Sequence, residues 1–225
     1  MLHVSIVYYE NSSSLNGMIK RLITLLVEKS LKVAPTPIFK LASGAISDTY
    51  IDCKKTTLTA EGAYLIGNIF FDRISHLDVH KIGGLSLGAD PIAEAVAYTS
   101  YLKERPIDAF VVRKKSKEHG LQLTIEGDIR EGDNVIIVDD VVTTGSSTID
   151  AIMKAREFGL NIVKVIVLVD RQEGGKDNIV KQGVEFEAVI TKQELLDEYN
   201  RRTKDTDRAR TLSAQSQKLD PALPR

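Results

Sequence analysis

The sequence predicts an α/β fold built on a mostly parallel sheet, and two observations carry that expectation. Short runs of β-branched and other apolar residues alternate with stretches whose apolar residues recur at helical spacing. The loops richest in Asp, Thr, Ser and Gly also follow the strand-like runs directly, which is where ligands bind in open parallel sheets. With 225 residues, 43% of them hydrophobic, the chain is long enough to bury one sizeable core.

Residues 1–16 read as a flexible lead-in ending in Asn11-Ser12-Ser13-Ser14, without the basic start and long apolar core of a signal peptide. Met18, Ile19, Leu22, Ile23, Leu26 and Val27 then predict a helix, which Pro35 and Pro37 bring to an end. A second helix is predicted from Thr59 to about Arg73, with Tyr64, Ile66, Ile69 and Phe70 among its apolar residues. Residues 79–82 read as a strand, followed by a glycine-rich turn and by Asp90-Pro91, an N-cap with proline in the first turn of a helix reaching about Lys103. Further strands are expected over 107–112, 135–138, 162–169 and 184–190. The stretch 201–225 is polar and lacks sustained apolar periodicity, which predicts a disordered tail and leaves 17–200 as the folded domain.

Composition narrows the function. A net charge of −1 makes no case for a nucleic-acid or membrane-surface partner, and no apolar run approaches the roughly 18 residues a membrane span needs. The single Cys53 has no partner for an internal disulfide and no neighbouring cysteine for a metal site, so a reducing cytoplasm is the simplest compartment.

Residues 135–148 read V-I-I-V-D-D-V-V-T-T-G-S-S-T: a buried strand, two acids, a small hydroxyl-rich loop, then a helical pattern through Ile149, Ile152 and Met153. Ser147 and Asp150 have the spacing of a capping box, so the loop is expected to present backbone N–H groups at a helix N-terminus, a favourable place for phosphate. Adjacent acids repel such an anion unless something lies between. A ribose diol does so, each carboxylate accepting from a hydroxyl while the 5-phosphate lies in the loop beyond. The plainer reading is an Asx turn at a strand end followed by an ordinary cap. A Walker A loop is excluded, because no lysine follows Gly145.

Two more loops stand at strand ends. Gly84-Leu85-Ser86-Leu87-Gly88 reads equally as a second anion loop or as a tight strand-to-helix turn. Arg113, Lys114, Lys115, Lys117 and His119, just before Gly120, form either a solvated basic turn or a set of cations that closes over a leaving anion.

The strand-D-D-V-V-T-T-G-S-S pattern resembles the 5-phosphoribosyl-1-pyrophosphate (PRPP) loop of type I phosphoribosyltransferases. R-K-x-x-K-x-H-G resembles the catalytic loop of the orotate phosphoribosyltransferases in particular. Leu41-Ala42-Ser43-Gly44-Ala45-Ile46-Ser47 with Tyr50 is similar to the base-binding segment of that family, and Asp170-Arg171-Gln172-Glu173 to its D-R-Q-E. The likeness spans about residues 17–195, with the motifs in the expected order.

The resemblance implies a type I phosphoribosyltransferase fold, a mostly parallel central sheet flanked by helices with a small N-terminal base-binding hood. It also implies transfer of phosphoribose from PRPP to orotate, giving orotidine 5′-monophosphate and pyrophosphate. Carried over by position, Asp139 and Asp140 would hold the ribose hydroxyls. Val141, Val142, Thr143, Thr144, Gly145, Ser146 and Ser147 would complete the PRPP loop. Arg113, Lys114, Lys117 and His119 would serve the pyrophosphate, with Lys117 the chief catalytic group; Arg171, Tyr50 and Thr143 would meet orotate. Mg2+ would arrive with PRPP, without a dedicated protein metal site. A catalytic loop reaching into the partner subunit implies a homodimer with shared sites.

The chain departs from the family pattern at Ala42 and Gly88, where some members carry lysines, and at Lys115, where an acid is common. Two rival readings remain: a phosphoribosyltransferase for another base, and a PRPP-sensing regulator that binds nucleic acid, favoured only by the basic stretch 201–210.

Overall fold

In the computed structural model, which describes residues 14–40, 44–114 and 124–218, the chain opens with helix α1 (Leu15–Lys29). The Ser14 hydroxyl accepts from the Gly17 N–H to cap it, and Leu22, Leu25, Leu26 and Val27 form its buried stripe. Two small antiparallel ribbons follow. Strand β1 (Leu31–Val33) pairs with β4 (Thr49–Ile51), and β2 (Phe39–Lys40) with β3 (Ile46–Ser47). They form the N-terminal hood, and strands of two or three residues are too short to show a period in the sequence.

A short helix α2 (Lys54–Thr57) leads into α3 (Ala60–Ile74), which Thr59 caps by accepting from the Gly62 N–H. The central sheet comprises β5 (Lys81–Leu85), β6 (Asp108–Val112), β7 (Ile125–Glu126), β8 (Asn134–Val142), β9 (Asn161–Asp170) and β10 (Glu185–Thr191). The connecting helices are α4 (Asp90–Leu102), α5 (Ser146–Glu157) and α6 (Gly175–Val180), and α7 (Lys192–Lys218) ends the described chain. Strand order is β10-β9-β8-β5-β6-β7, parallel throughout except for β7, which runs antiparallel to β6. From β5 the chain proceeds outward to β6, and from β8 it proceeds the other way to β9 and β10. The order therefore reverses between β5 and β8, and in such sheets the ligand crevice lies at that point, at the strands' carboxyl ends.

Alternation along the central strands fills both faces. Ile136, Val138, Ile166 and Leu168 pack in the layer with α1, α3 and α4; Val135, Ile137, Val165 and Val167 pack with Ala151, Ile152 and Ala155 of α5.

Several boundaries differ from the sequence reading, among them that of β5, which spans 81–85 where 79–82 was expected and so takes in Gly84 and Leu85 of the glycine-rich turn. Strand β8 runs on through Asp139 and Asp140 to Val142, where the acids were expected to end it, because Asp139, Val141 and Val142 continue the register with Val167, Val169 and Asp170 of β9. The N-cap of α4 is Ala89 and makes no side-chain cap bond, so Asp90 is the first helical residue. The expected disordered tail begins as a continuation of α7. There Arg201 pairs with Glu198 and Asp205, while Arg202 reaches Glu28 of α1 at 2.7 Å, so charge pairing supports a helix that apolar periodicity does not announce.

Helices α3 and α4 cross at Gly67, where a Cβ would stand 2.3 Å from the Thr99 hydroxyl and 2.6 Å from the Ala95 carbonyl oxygen. Replacing this glycine by alanine gains about 1 kcal/mol of helix propensity but overpacks the crossing by roughly 1–3 kcal/mol. Gly67→Ala is thus expected to lower stability, read as a lower denaturation midpoint with an unchanged m-value; a raised midpoint would show that the helices separate freely.

Candidate functional site

The crevice between β5 and β8 holds the diacid. Asp139 and Asp140 are only 4% and 5% exposed. Asp139 is well supplied with donors: its Oδ2 accepts from the hydroxyls of Ser147 and Thr148, both at 2.8 Å, and its Oδ1 from the Asp140 N–H at 3.0 Å. Asp140 has no such support. Its Oδ2 is buried without a hydrogen bond and faces the Lys54 ammonium at 3.5 Å.

The two charges lie side by side in a dry place. Burial first, and the adjacent Asp140 second, push the Asp139 carboxyl up to about 6, against the pull of Thr148, Ser147 and the Asp140 N–H. For Lys54, burial works against the charge, but Asp140 and Asp52 outweigh it and hold the ammonium above its ordinary value.

The Ser147 bond to Asp139 replaces the expected capping box. The N-cap of α5 is Gly145, at φ +84° and without a side-chain cap bond, and Asp150 instead accepts from Lys154 at 2.8 Å. A carboxylate eight residues upstream is the stronger acceptor for the Ser147 hydroxyl. The helix still begins where the phosphate loop was expected, with Thr143 half-buried and Thr144, Ser146 and Ser147 exposed around buried Gly145. Val142 is buried in the apolar cluster on the α5 face of the sheet and Val141 packs against the cluster on the opposite face, so their share in a ligand contact falls to the backbone.

The glycine turn after β5 closes against the acids. A Cβ at Gly88 would come within 2.5 Å of one Asp140 oxygen and 3.0 Å of one Asp139 oxygen, so a larger residue there displaces the pair. The departure at Gly88 thus has a steric cause in this chain.

On the other side of β5, Arg113 and Lys114 follow β6. The Arg113 guanidinium donates to Glu126 at 2.7 Å, and Lys154 of α5 donates to the carbonyls of Arg113 and Lys114 at 3.0 and 3.2 Å. Lys154 thereby fastens Arg113 and Lys114 to the helix that follows the loop 143–147. Lys117 and His119 lie outside the described residues, as do Lys115 and Ala42.

Arg171, at the end of β9, is 2% exposed and reaches the hood. Its Nη2 donates to the Thr49 carbonyl at 3.2 Å and the Ser47 hydroxyl at 3.3 Å, and its Nε to Glu173 at 3.1 Å. Its Nη1 has no hydrogen-bond partner among the described residues. The backbone N–H of Arg171 donates to the Val142 carbonyl, which joins this residue to the diacid strand. Tyr50 is 37% exposed on β4, its ring 5.8 Å from that of Phe39. The structure thus brings Asp139, Asp140, the loop 143–147, Arg171 and the hood to one edge of the sheet. Sequence reasoning did not find Lys54, Lys154 or Thr148; all three act on partners distant in the chain, which no local spacing reveals.

Known proteins resemble this chain in sequence and in fold. Residues 81–198 match the phosphoribosyl transferase domain family. The orotate phosphoribosyltransferase of Aquifex aeolicus is 45% identical over 177 residues, covering 79% of this chain and 97% of that protein. That of Sorangium cellulosum is 42% identical over 180 residues, 79% of this chain and 92% of the relative. Among solved structures, the Mycobacterium tuberculosis orotate phosphoribosyltransferase in complex with PRPP is 32% identical at a TM-score of 0.65, covering 79% of this chain and 98% of that one.

The raised Asp139 carboxyl gives the fold a pH signature. An acid whose folded pKa lies above its unfolded value keeps a proton in the folded state that the unfolded state has lost, so stability falls as pH rises from about 4 to about 6. Asp139→Asn removes that component. The difference in thermal midpoint between variant and wild type is expected to grow in the variant's favour across this window and to level off above it; a difference independent of pH would remove the buried charge as its cause.

Proposed function

Because the chain belongs to the phosphoribosyltransferase family and, within it, to the orotate phosphoribosyltransferases, we propose that the crevice between β5 and β8 binds PRPP and transfers its phosphoribose to N1 of orotate. The products are orotidine 5′-monophosphate and pyrophosphate, a step of pyrimidine nucleotide synthesis. The observation that carries this placement is the buried diacid held beside the N-terminus of α5.

Asp139 and Asp140 receive the ribose hydroxyls, and the 5-phosphate lies in the loop of Thr143, Thr144, Gly145, Ser146 and Ser147, at the positive end of the helix. The C1–oxygen bond to pyrophosphate breaks ahead of attack by N1, and the negative charge gathers on the departing group. Arg113, Lys114, Lys117 and His119 neutralise it, with Lys117 the principal catalytic cation. No nucleophilic side chain is needed, so the rate comes from positioning the two substrates and from stabilising that charge.

Mg2+ carried by the pyrophosphate adds further neutralisation of the phosphate oxygens. The protein fits the ion only as an outer partner: the Asp139 oxygens are engaged by Ser147, Thr148 and a backbone N–H, and one Asp140 oxygen faces Lys54. The ion's inner ligands would then come from the substrate and water, with Asp139 and Asp140 as outer partners.

Orotate lies between the hood and Arg171, with Tyr50 framing the ring and Thr143 at its edge. The Arg171 Nη1, which has no hydrogen-bond partner among the described residues, meets the orotate carboxylate. Two copies of the chain share their sites through the basic loop. A reducing cytoplasm suits the single buried Cys53, whose thiol is pushed well above its ordinary range by burial and then by Asp140.

Incubation with PRPP, Mg2+ and orotate is expected to consume orotate, seen as a fall in its absorbance; persistence of orotate with a folded protein overturns the assignment. Arg171→Ala is expected to lower kcat/KM for orotate by about 2–5 kcal/mol in activation free energy, with little change in PRPP affinity. Unimpaired use of orotate by that variant would remove Arg171 from the base site.

Shared sites make a separate expectation. Lys117→Ala chains and Asp139→Asn/Asp140→Asn chains, each inactive alone, are expected to recover part of the activity when mixed. No recovery after verified subunit exchange would confine each site to one chain.

A further inference from the structure

We propose that Lys54 is a positioning residue for PRPP: its ammonium fixes the Asp140 carboxylate for the ribose and ties the base-binding hood to the sugar site. The proposal rests on the reading of the diacid as the ribose site and goes beyond it by adding a residue from outside the loop.

The geometry is specific. The Lys54 ammonium stands 3.5 Å from Asp140 Oδ2 and 3.3 Å from Asp52 Oδ1. Both oxygens are buried and lack a hydrogen bond, so two orphaned acceptors converge on one cation. Among the described residues no other cation forms an ion pair with Asp139 or Asp140. The remaining sides are taken: Asp139 is saturated by hydroxyl and backbone donors, and the Gly88 backbone crowds the Asp140 Oδ1 side too closely for any side chain. Among the described residues, Lys54 is the cation that offsets the charge of this buried acid.

Its place in the chain adds a second role. Lys54 begins α2, directly after Asp52 and β4, the hood strand that bears Tyr50. The Asp52–Lys54–Asp140 bridge therefore joins the strand that frames the base to the strand that holds the ribose. The lysine stem is 46% exposed, so the cation reaches the acid from solvent and yields readily when hydroxyls arrive. Losing it leaves Asp140 free to turn, and it disconnects the hood from the sugar. The loss falls on PRPP recognition and on its linkage to orotate binding, not on the charge that develops at pyrophosphate.

Steady-state kinetics and PRPP calorimetry on the full chain distinguish this role from a structural one. Lys54→Met is expected to raise the PRPP KM about tenfold while kcat changes by less than about threefold, and Lys54→Arg to recover most of the loss. Lys55→Met, a change at the exposed neighbouring lysine, is expected to behave as wild type. In an Asp140→Asn background, Lys54→Met is expected to add nothing further. A PRPP KM within about twofold of wild type in folded Lys54→Met overturns the proposal, as does a loss that Lys54→Arg fails to recover or that Asp140→Asn leaves additive. If Lys54→Met does not fold, Lys54→Gln is read by the same criteria. An Asp140→Asn variant that keeps normal PRPP affinity overturns the ribose assignment itself, whereas normal affinity in Lys54→Met alone overturns only the role of the lysine.

Discussion

Two adjacent carboxylates buried in the middle strand of a sheet are the constraint around which the rest of the site is arranged. Carboxylates carry a heavy desolvation cost and repel one another, so each needs its own compensation. Asp139 obtains it from the first turn of α5, which fixes where that helix starts and which way Ser147 and Thr148 point. Asp140 obtains it across the crevice from Lys54, and the turn after β5 must then carry a glycine to approach the same carboxylate. Helix, hood and turn are held at the same few ångströms by one electrostatic problem.

Sheet topology sets where that arrangement stands. The chain leaves β5 and β8 in opposite directions, and the glycine turn after β5 meets the acids of β8 between them. Arg171 enters from the neighbouring strand and holds the hood by the Thr49 carbonyl and Ser47 hydroxyl. The guanidinium thus secures the hood through Nη2 and reaches Glu173 through Nε.

Much of this was legible in the sequence, for reasons tied to length scale. The alternation of apolar runs announced strands β5, β6, β8, β9 and β10 and helices α1, α3, α4 and α5 but not α7, since burial on both faces of β8 and β9 leaves long β-branched runs. The acid pair and the glycine loop were legible because their chemistry is contiguous. Contacts between distant residues were not. Ser147 has the spacing of a cap, yet its hydroxyl turns to Asp139, and spacing alone does not rank competing acceptors. Lys54 looks like any surface lysine until the fold brings it to Asp140. The hood strands are too short for a period, and the helix through residue 206 rests on ion pairs, which hydrophobic patterning does not register.

The packing of α7 on α1 bears on how the molecule is assembled during synthesis. Leu195 and Tyr199 of the final helix join the same apolar cluster as Leu22, Leu25 and Leu26 of the first, and Arg202 grips Glu28. Of the two, α1 is made before α7, so a helix made early is covered in part by one made much later. Until α7 emerges, part of the apolar stripe of α1 faces water, where chaperones or other nascent chains compete for it. Docking of α7 closes the apolar layer that α1 leaves open.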